Sequence, residues 1–205
     1  MKFNKILITI FAFFLSVFVF TSCSKEENDN TPFDTKAVEY VGEYQIESIF
    51  WSGNSLDFDL DGKFHNELTN ELRNLPNYNI KEYITVISFE KEARTDSSYL
   101  QINTNLPYPD FRKKNEDITL SSINCVSQNF TIKNVRDLIA PFEIKPNVLN
   151  LTDSSELFLS NISEVNIESI NKEEIKIRMK CKMFDLTKNK QEENYLHYCF
   201  RKVNK

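Results

Sequence analysis

Glu174-Ile175-Lys176-Ile177-Arg178-Met179-Lys180-Cys181-Lys182-Met183 alternates charged and apolar residues without a break. Period two with one charged and one apolar face predicts a strand that has a core on one side and water on the other. Its expected partner is 195–203, across a polar loop at 187–193, which makes a C-terminal hairpin. In that partner Leu196, Tyr198 and Phe200 take the core face. Outward from the hairpin, weaker runs of the same kind occupy 44–51, 83–90, 99–105, 118–123, 129–133 and 165–170. Residues 142–151 are a further candidate, which Pro141 and Pro146 push toward a sheet edge. Roughly eight or nine short strands in succession predict a mostly β chain, an antiparallel meander closed as a barrel or packed as a sandwich.

One segment departs from this alternation. Phe64, Leu68, Leu72 and Leu75 recur at helical spacing, so 64–74 reads as one short amphipathic helix after the first strand, ended by Pro76. In a small barrel such a helix covers one mouth.

Composition removes several functions. The 205 residues include 3 Gly and 2 His, with a formal charge of −5. Three glycines supply no Gly-rich phosphate loop, and two histidines supply no multi-His metal centre. The acidic balance disfavours nucleic acid and anionic membrane surfaces. Lys2 and Lys5 precede the apolar run 6–20, which as a helix spans about 22 Å, short of the roughly 30 Å hydrocarbon core. A basic start, a short apolar stretch and a small-residue exit describe an export signal.

That exit, Phe20-Thr21-Ser22-Cys23, resembles the lipobox of bacterial lipoproteins, with Phe20 where Leu is usual. The resemblance implies a signal peptide over 1–22, acylation of the Cys23 thiol (palmitate among the acyl groups) and a lipidated N-terminus. Ser24-Lys25-Glu26-Glu27-Asn28-Asp29 resembles the Lys-plus-acidic tag that sends lipoproteins of Bacteroidota to the outer face of the outer membrane. It implies a cell-surface location, with the periplasmic face as the alternative. Residues 23–37 lack apolar periodicity and read as a flexible tether, leaving 38–205 as one folded domain.

Asp57-Phe58-Asp59-Leu60-Asp61-Gly62 places carboxylates at positions 1, 3 and 5 and Gly at 6, the front half of a calcium loop. Lys63 would offer its backbone carbonyl; Leu68 stands where the bidentate Glu belongs, so Glu67 and Glu71 are the replacements. A structural calcium is one expectation. The other is a plain amphipathic strand ending in a turn, because Leu56, Phe58 and Leu60 alternate with the acids. Gly42-Glu43-Tyr44, Trp51-Ser52-Gly53, the 57–62 loop and the acidic stretch behind it resemble lipocalin-like lipoproteins of Bacteroidota. The resemblance implies a calycin-type antiparallel barrel with an internal ligand cavity, and Glu67 and Glu71 stand where that group carries its acids.

The remaining residues give no catalytic constellation. Leu106-Pro107-Tyr108-Pro109-Asp110-Phe111 reads as a Pro-rich turn that exposes Tyr108 and Phe111 as a contact site for a ligand or partner. Cys181 and Cys199 flank the hairpin and would bridge if they faced each other, but the core face at 196, 198 and 200 turns Cys199 away. Cys125 reads as a buried free thiol. No enzyme is expected. The expected role is non-catalytic binding of a small apolar or amphiphilic ligand. The alternative is a protein-interaction or glycan-binding module whose barrel is filled by side chains.

Overall fold

Seven antiparallel strands form a single sheet in the computed structural model, which describes residues 33–57, 61–73, 75, 78–95, 97–114, 117–133, 162–186 and 188–204. They are β1 (Gly42–Trp51), β2 (Ile84–Lys91), β3 (Ser98–Lys114), β4 (Asp117–Ile132), β5 (Ile162–Ile170), β6 (Glu174–Asp185) and β7 (Lys190–Lys202). The order across the sheet is β4-β3-β2-β1-β7-β6-β5, and the sheet curls into a half-barrel. Two meanders, β1 to β4 and β5 to β7, therefore meet where the first strand pairs with the last. The strand candidate 142–151 lies outside the described residues.

The quoted stretch behaves as its alternation demands. Ile175, Ile177, Met179, Cys181 and Met183 are buried, and the charged residues between them face outward. The hairpin is tighter than expected. The strands continue through most of the polar loop, with Asp185 paired to Lys190, so four residues separate the last pair. Asp185, itself buried, accepts the Lys188 backbone N–H at 3.0 Å and pairs with the Lys188 ammonium at 2.8 Å. Asn189 takes the left-handed conformation (φ 51°) that a short polar side chain tolerates.

The sharpest correction concerns β3. The stretch expected as an exposed turn continues the strand to Lys114, paired with β4 on both sides of a bulge at Asp110/Phe111. Tyr108 is 5% exposed and Phe111 0%, so neither stands at a loop tip. Prolines survive here because β2 pairs β3 only as far as Thr104. The Pro107 carbonyl accepts from Tyr198 Oη at 2.8 Å, which turns it away from β4. The ring nitrogens of Pro107 and Pro109, two residues apart, thus fall where the β3–β4 ladder needs no donor.

The helix also differs. The helical turn α2 covers only Leu68–Arg73, because the residues before it serve the sheet edge. β2 pairs β1 only from Gly42 to Gln45, and the segment 66–69 then takes its place. Phe50 forms an isolated bridge with Glu67, and Trp51 N–H donates to the Asn66 carbonyl at 2.7 Å. Ile49 N–H donates to Thr69 Oγ1 at 2.9 Å, a buried bond just past the bulge at Ile46–Ser48. Phe64, expected on the helix's apolar face, is 46% exposed. Leu68 and Leu72 are buried and press α2 against β1. Before β1, a short helix α1 (Phe33–Ala37) and a 3₁₀ turn (Val38–Tyr40) replace the end of the expected tether. Ala37 is buried and Tyr44 Oη donates to the Tyr40 carbonyl at 2.7 Å, so this short segment packs against the sheet.

Candidate functional site

Three places carry chemistry: the 57–71 segment, the concave interior and the outer face of β1-β7-β6-β5. In the first, Asp57 is buried and its two carboxylate oxygens accept the backbone N–H groups of Asp61 (3.1 Å) and Gly62 (3.0 Å). This is the self-bonding by which an Asp shapes a turn. Gly62 has φ +86°, which strains any side chain. Asp61 is exposed and accepts the Lys63 backbone N–H at 2.8 Å and its ammonium at 2.7 Å. These contacts hold the Asp61 carboxyl below its ordinary range. Asp59 lies outside the described residues.

The replacements expected for a calcium cage are engaged elsewhere. Glu67 Oε1 accepts from Thr69 N–H at 3.1 Å and Ile49 N–H at 3.4 Å. Glu71 is buried on α2, 3.7 Å from His65 Nε2. Calcium requires six to eight oxygens within about 2.6 Å of one point. Among the described residues, no three of Asp57, Asp61, Glu67 and Glu71 bring carboxylate oxygens within 4.8 Å of one another. As placed, these four shape the turn and the β1 edge.

The interior gathers phenols and thiols. Tyr198 is fully buried on β7, and its hydroxyl crosses to the Pro107 carbonyl on the opposite limb of the sheet. Phe111 of β3 meets Phe184 of β6 with ring centroids 6.2 Å apart. Tyr78 stacks on Tyr83 at 5.7 Å, and its buried hydroxyl has no hydrogen-bond partner among the described residues. Burial raises the phenols of Tyr78, Tyr108 and Tyr198 above their ordinary range. Cys181, buried on β6, is likewise raised by desolvation.

All three described cysteines are free. Cys199 pairs in register with Lys176, whereas Cys181 pairs with Asn194, and their side chains leave opposite faces of the hairpin. Cys125 is exposed rather than buried, because its β4 neighbours Asn124 and Val126 hold the half-buried positions beside it.

On the outer face the Cys199 thiol lies 3.3 Å from a Glu174 oxygen and 3.6 Å from a Glu47 oxygen. These are the three ligand-type groups that the described residues bring within 4.8 Å of one another. Arg201 binds Glu47 through two nitrogens (3.0 and 2.7 Å), and Lys176 sits 3.1 Å from Glu174. Desolvation, then the neighbouring carboxylates, push the Cys199 thiol up to about 12, so it is neither a nucleophile nor a ready thiolate ligand at neutral pH.

Farther along the same face, Phe50, His197 and Arg178 share one register line across β1, β7 and β6. Phe50 is 47% exposed, and its ring lies 6.4 Å from His197 at 53°. Tyr195 lies 6.1 Å from His197 at 51°, with the Arg178 guanidinium 5.1 Å over its ring. His197 Nδ1 bonds Glu168 at 3.1 Å. The tilts do not make the flat aromatic platform that sugar stacking favours. These outer-face groups were missed in sequence because they join residues from four strands, linked only by pairing register.

Among the described residues no histidine is hydrogen-bonded to a thiol or hydroxyl, so neither nucleophile–base pair nor triad is assembled. No family model, no curated protein and no solved structure matches the chain.

Proposed function

We propose that this chain is a lipid-anchored cell-envelope protein, attached through Cys23 and facing the cell exterior, that works as a non-catalytic binding module with a barrel filled by side chains. Its contacts are made from outside the barrel. The observation that carries the reading is the Tyr198 Oη to Pro107 carbonyl bond, which together with the Phe111–Phe184 contact places side chains across the concave space. An eight-stranded barrel has an interior just wide enough to be filled in this way.

The finer fold proposal is a lipocalin-type barrel. The pairings set β4 and β5 running in the same direction, so these two strands cannot pair antiparallel with each other. A closed up-and-down barrel needs an odd number of strands between them. The sequence offers one, at 142–151, which supports a total of eight.

A second reading, an amphiphilic ligand held inside, draws on Tyr78, whose buried hydroxyl would suit the polar end of such a guest. Titration of the full chain with a fluorescent fatty acid separates the two. The filled-barrel reading expects no saturable uptake. Stoichiometric uptake that Tyr78→Phe weakens would replace it with the ligand-carrier reading. The anchor is tested separately: palmitate labelling should vanish in Cys23→Ala, and protease added to intact cells should remove the wild-type chain. Labelling that persists would refute lipidation at Cys23, and protection from protease would place the chain on the periplasmic face.

A further inference from the structure

At the end of the sheet away from the Cys199 cluster, a groove of about 330 Å³ opens on the outer face, lined by Glu92, Tyr99, Gln101, Thr131 and Lys133. The core-facing residues here are Leu100, Ile102, Phe130 and Ile132, so the alternate positions Tyr99, Gln101, Thr131 and Lys133 all emerge on the outer side. Register brings them together: Gln101 is directly opposite Thr131. The same register places Tyr99 opposite Lys133, immediately after β4 ends. Glu92 follows β2 and closes the third side. A turn that bonds its N–H to the Ser97 carbonyl (2.8 Å) holds it there, and Thr95 Oγ1 orients its carboxylate at 2.9 Å.

The side chains of Tyr99, Gln101, Thr131 and Lys133 hydrogen-bond to no described residue. The groove thus offers a half-buried aromatic ring, an amide that donates and accepts, a hydroxyl that does both, one carboxylate and one ammonium. The lining carboxylate and ammonium offset each other, and Glu90, directly opposite Tyr99 on the same face, adds a further negative charge, which removes the attraction that a phosphate or an anionic sugar would need. A ligand that suits this lining has an apolar C–H face for the ring and several adjacent groups that donate and accept at once. That is the chemistry of a neutral pyranose. A volume near 330 Å³ is at the small end of ligand sites and fits one or two such rings better than a folded partner.

We infer that this groove is a binding subsite for a neutral saccharide. The inference rests on the outer-face reading above and names its ligand class. One ring stacks on Tyr99 while Gln101, Thr131 and Glu92 take its hydroxyls. Affinity is millimolar, because the groove is open and one aromatic face is available.

The test is NMR titration of the ¹⁵N-labelled full chain in dodecylphosphocholine, a detergent without a sugar headgroup. The probes are the methyl glycosides of glucose, galactose, mannose and N-acetylglucosamine, with methyl phosphate as the anionic comparison. The expected result is saturable shifts at Tyr99, Gln101 and Thr131 for at least one glycoside and none for methyl phosphate. Tyr99→Ala should weaken binding by about tenfold or more, while Phe50→Ala leaves it unchanged. Gln101→Ala, which leaves the ring in place, guards against misfolding of the first variant and should also weaken binding. Absence of shifts with all four glycosides overturns the groove assignment. So do shifts indifferent to Tyr99→Ala and Gln101→Ala, and so does preference for methyl phosphate. Shifts centred on the interior residues Leu196 and Tyr198 would instead overturn the filled-barrel reading.

Discussion

Tyr198→Phe is the most informative single change, because it removes one oxygen and nothing else. The ring stays, so the apolar burial of a fully enclosed side chain is kept. What is lost is the 2.8 Å bond to the Pro107 carbonyl, 91 residues away. A buried neutral hydrogen bond contributes about 1 kcal/mol net, and stranding its buried acceptor adds a desolvation penalty of about 1–3 kcal/mol. β2 no longer pairs β3 at Pro107, so the sheet offers that carbonyl no substitute donor from β2. The expected destabilisation is about 2 kcal/mol, or a fall in Tm of about 4–8 °C for a domain of this size. The assay is chemical and thermal unfolding of the full chain, with Tyr195→Phe as the outer-face control expected within about 0.5 kcal/mol of wild type. The alkaline limb gives a second readout. Burial holds the folded Tyr198 phenol well above the unfolded value near 10, so its contribution is full below pH 10 and is lost as pH rises beyond it. Tyr198→Phe should flatten that loss. A variant as stable as wild type at both neutral and alkaline pH would refute the claim that the two limbs are tied through the interior.

Gly53→Ala should destabilise the chain by about 1–3 kcal/mol, because the added Cβ would lie 2.4 Å from Trp51 Nε1. Trp51 is the single tryptophan, so its fluorescence reads the displacement directly, and an unshifted spectrum would contradict it. Asp57→Ala should lower Tm, because the Asp61 and Gly62 N–H groups lose their acceptor; a wild-type Tm that rises with calcium, with the rise lost in Asp57→Ala, would support the metal-loop reading, and equal Tm in calcium and in chelator would sink it. Alkylation of the native chain at pH 8 should modify exposed Cys125 first, Cys199 slowly and Cys181 only after unfolding, with no mass loss from a Cys181–Cys199 disulfide. Glu47 and Glu174 are both held below the ordinary carboxylate value, Glu47 chiefly by Arg201. What they contribute is present above about pH 4.5 and lost as pH falls through their folded values; unfolding that is flat from pH 6 to 3 would sink this.

The fold class was legible because period two survives in almost every strand, most clearly at 174–183. The outward turn of Cys199 followed from the same parity. What stayed hidden depends on where a neighbouring strand stops. Pro107 and Pro109 look like turn residues until β2 is seen to leave β3 at Thr104, after which a proline breaks no bond. Phe64 has helical spacing, yet the vacant edge of β1 draws residues 66–69 into pairing and delays the helix to Leu68. The acidic 57–61 motif was visible as a motif, but the backbone partners that Asp57 takes belong to the folded turn. The Cys199–Glu47–Glu174 cluster and the Tyr99 groove each assemble three strands or their ends, and no local pattern announces them.

Native mass spectrometry of the full chain released from detergent, compared with its denatured mass, tests the central claim most directly. A filled barrel predicts equal masses. A non-covalent organic mass present only under native conditions would contradict it and show that the interior is occupied by a guest.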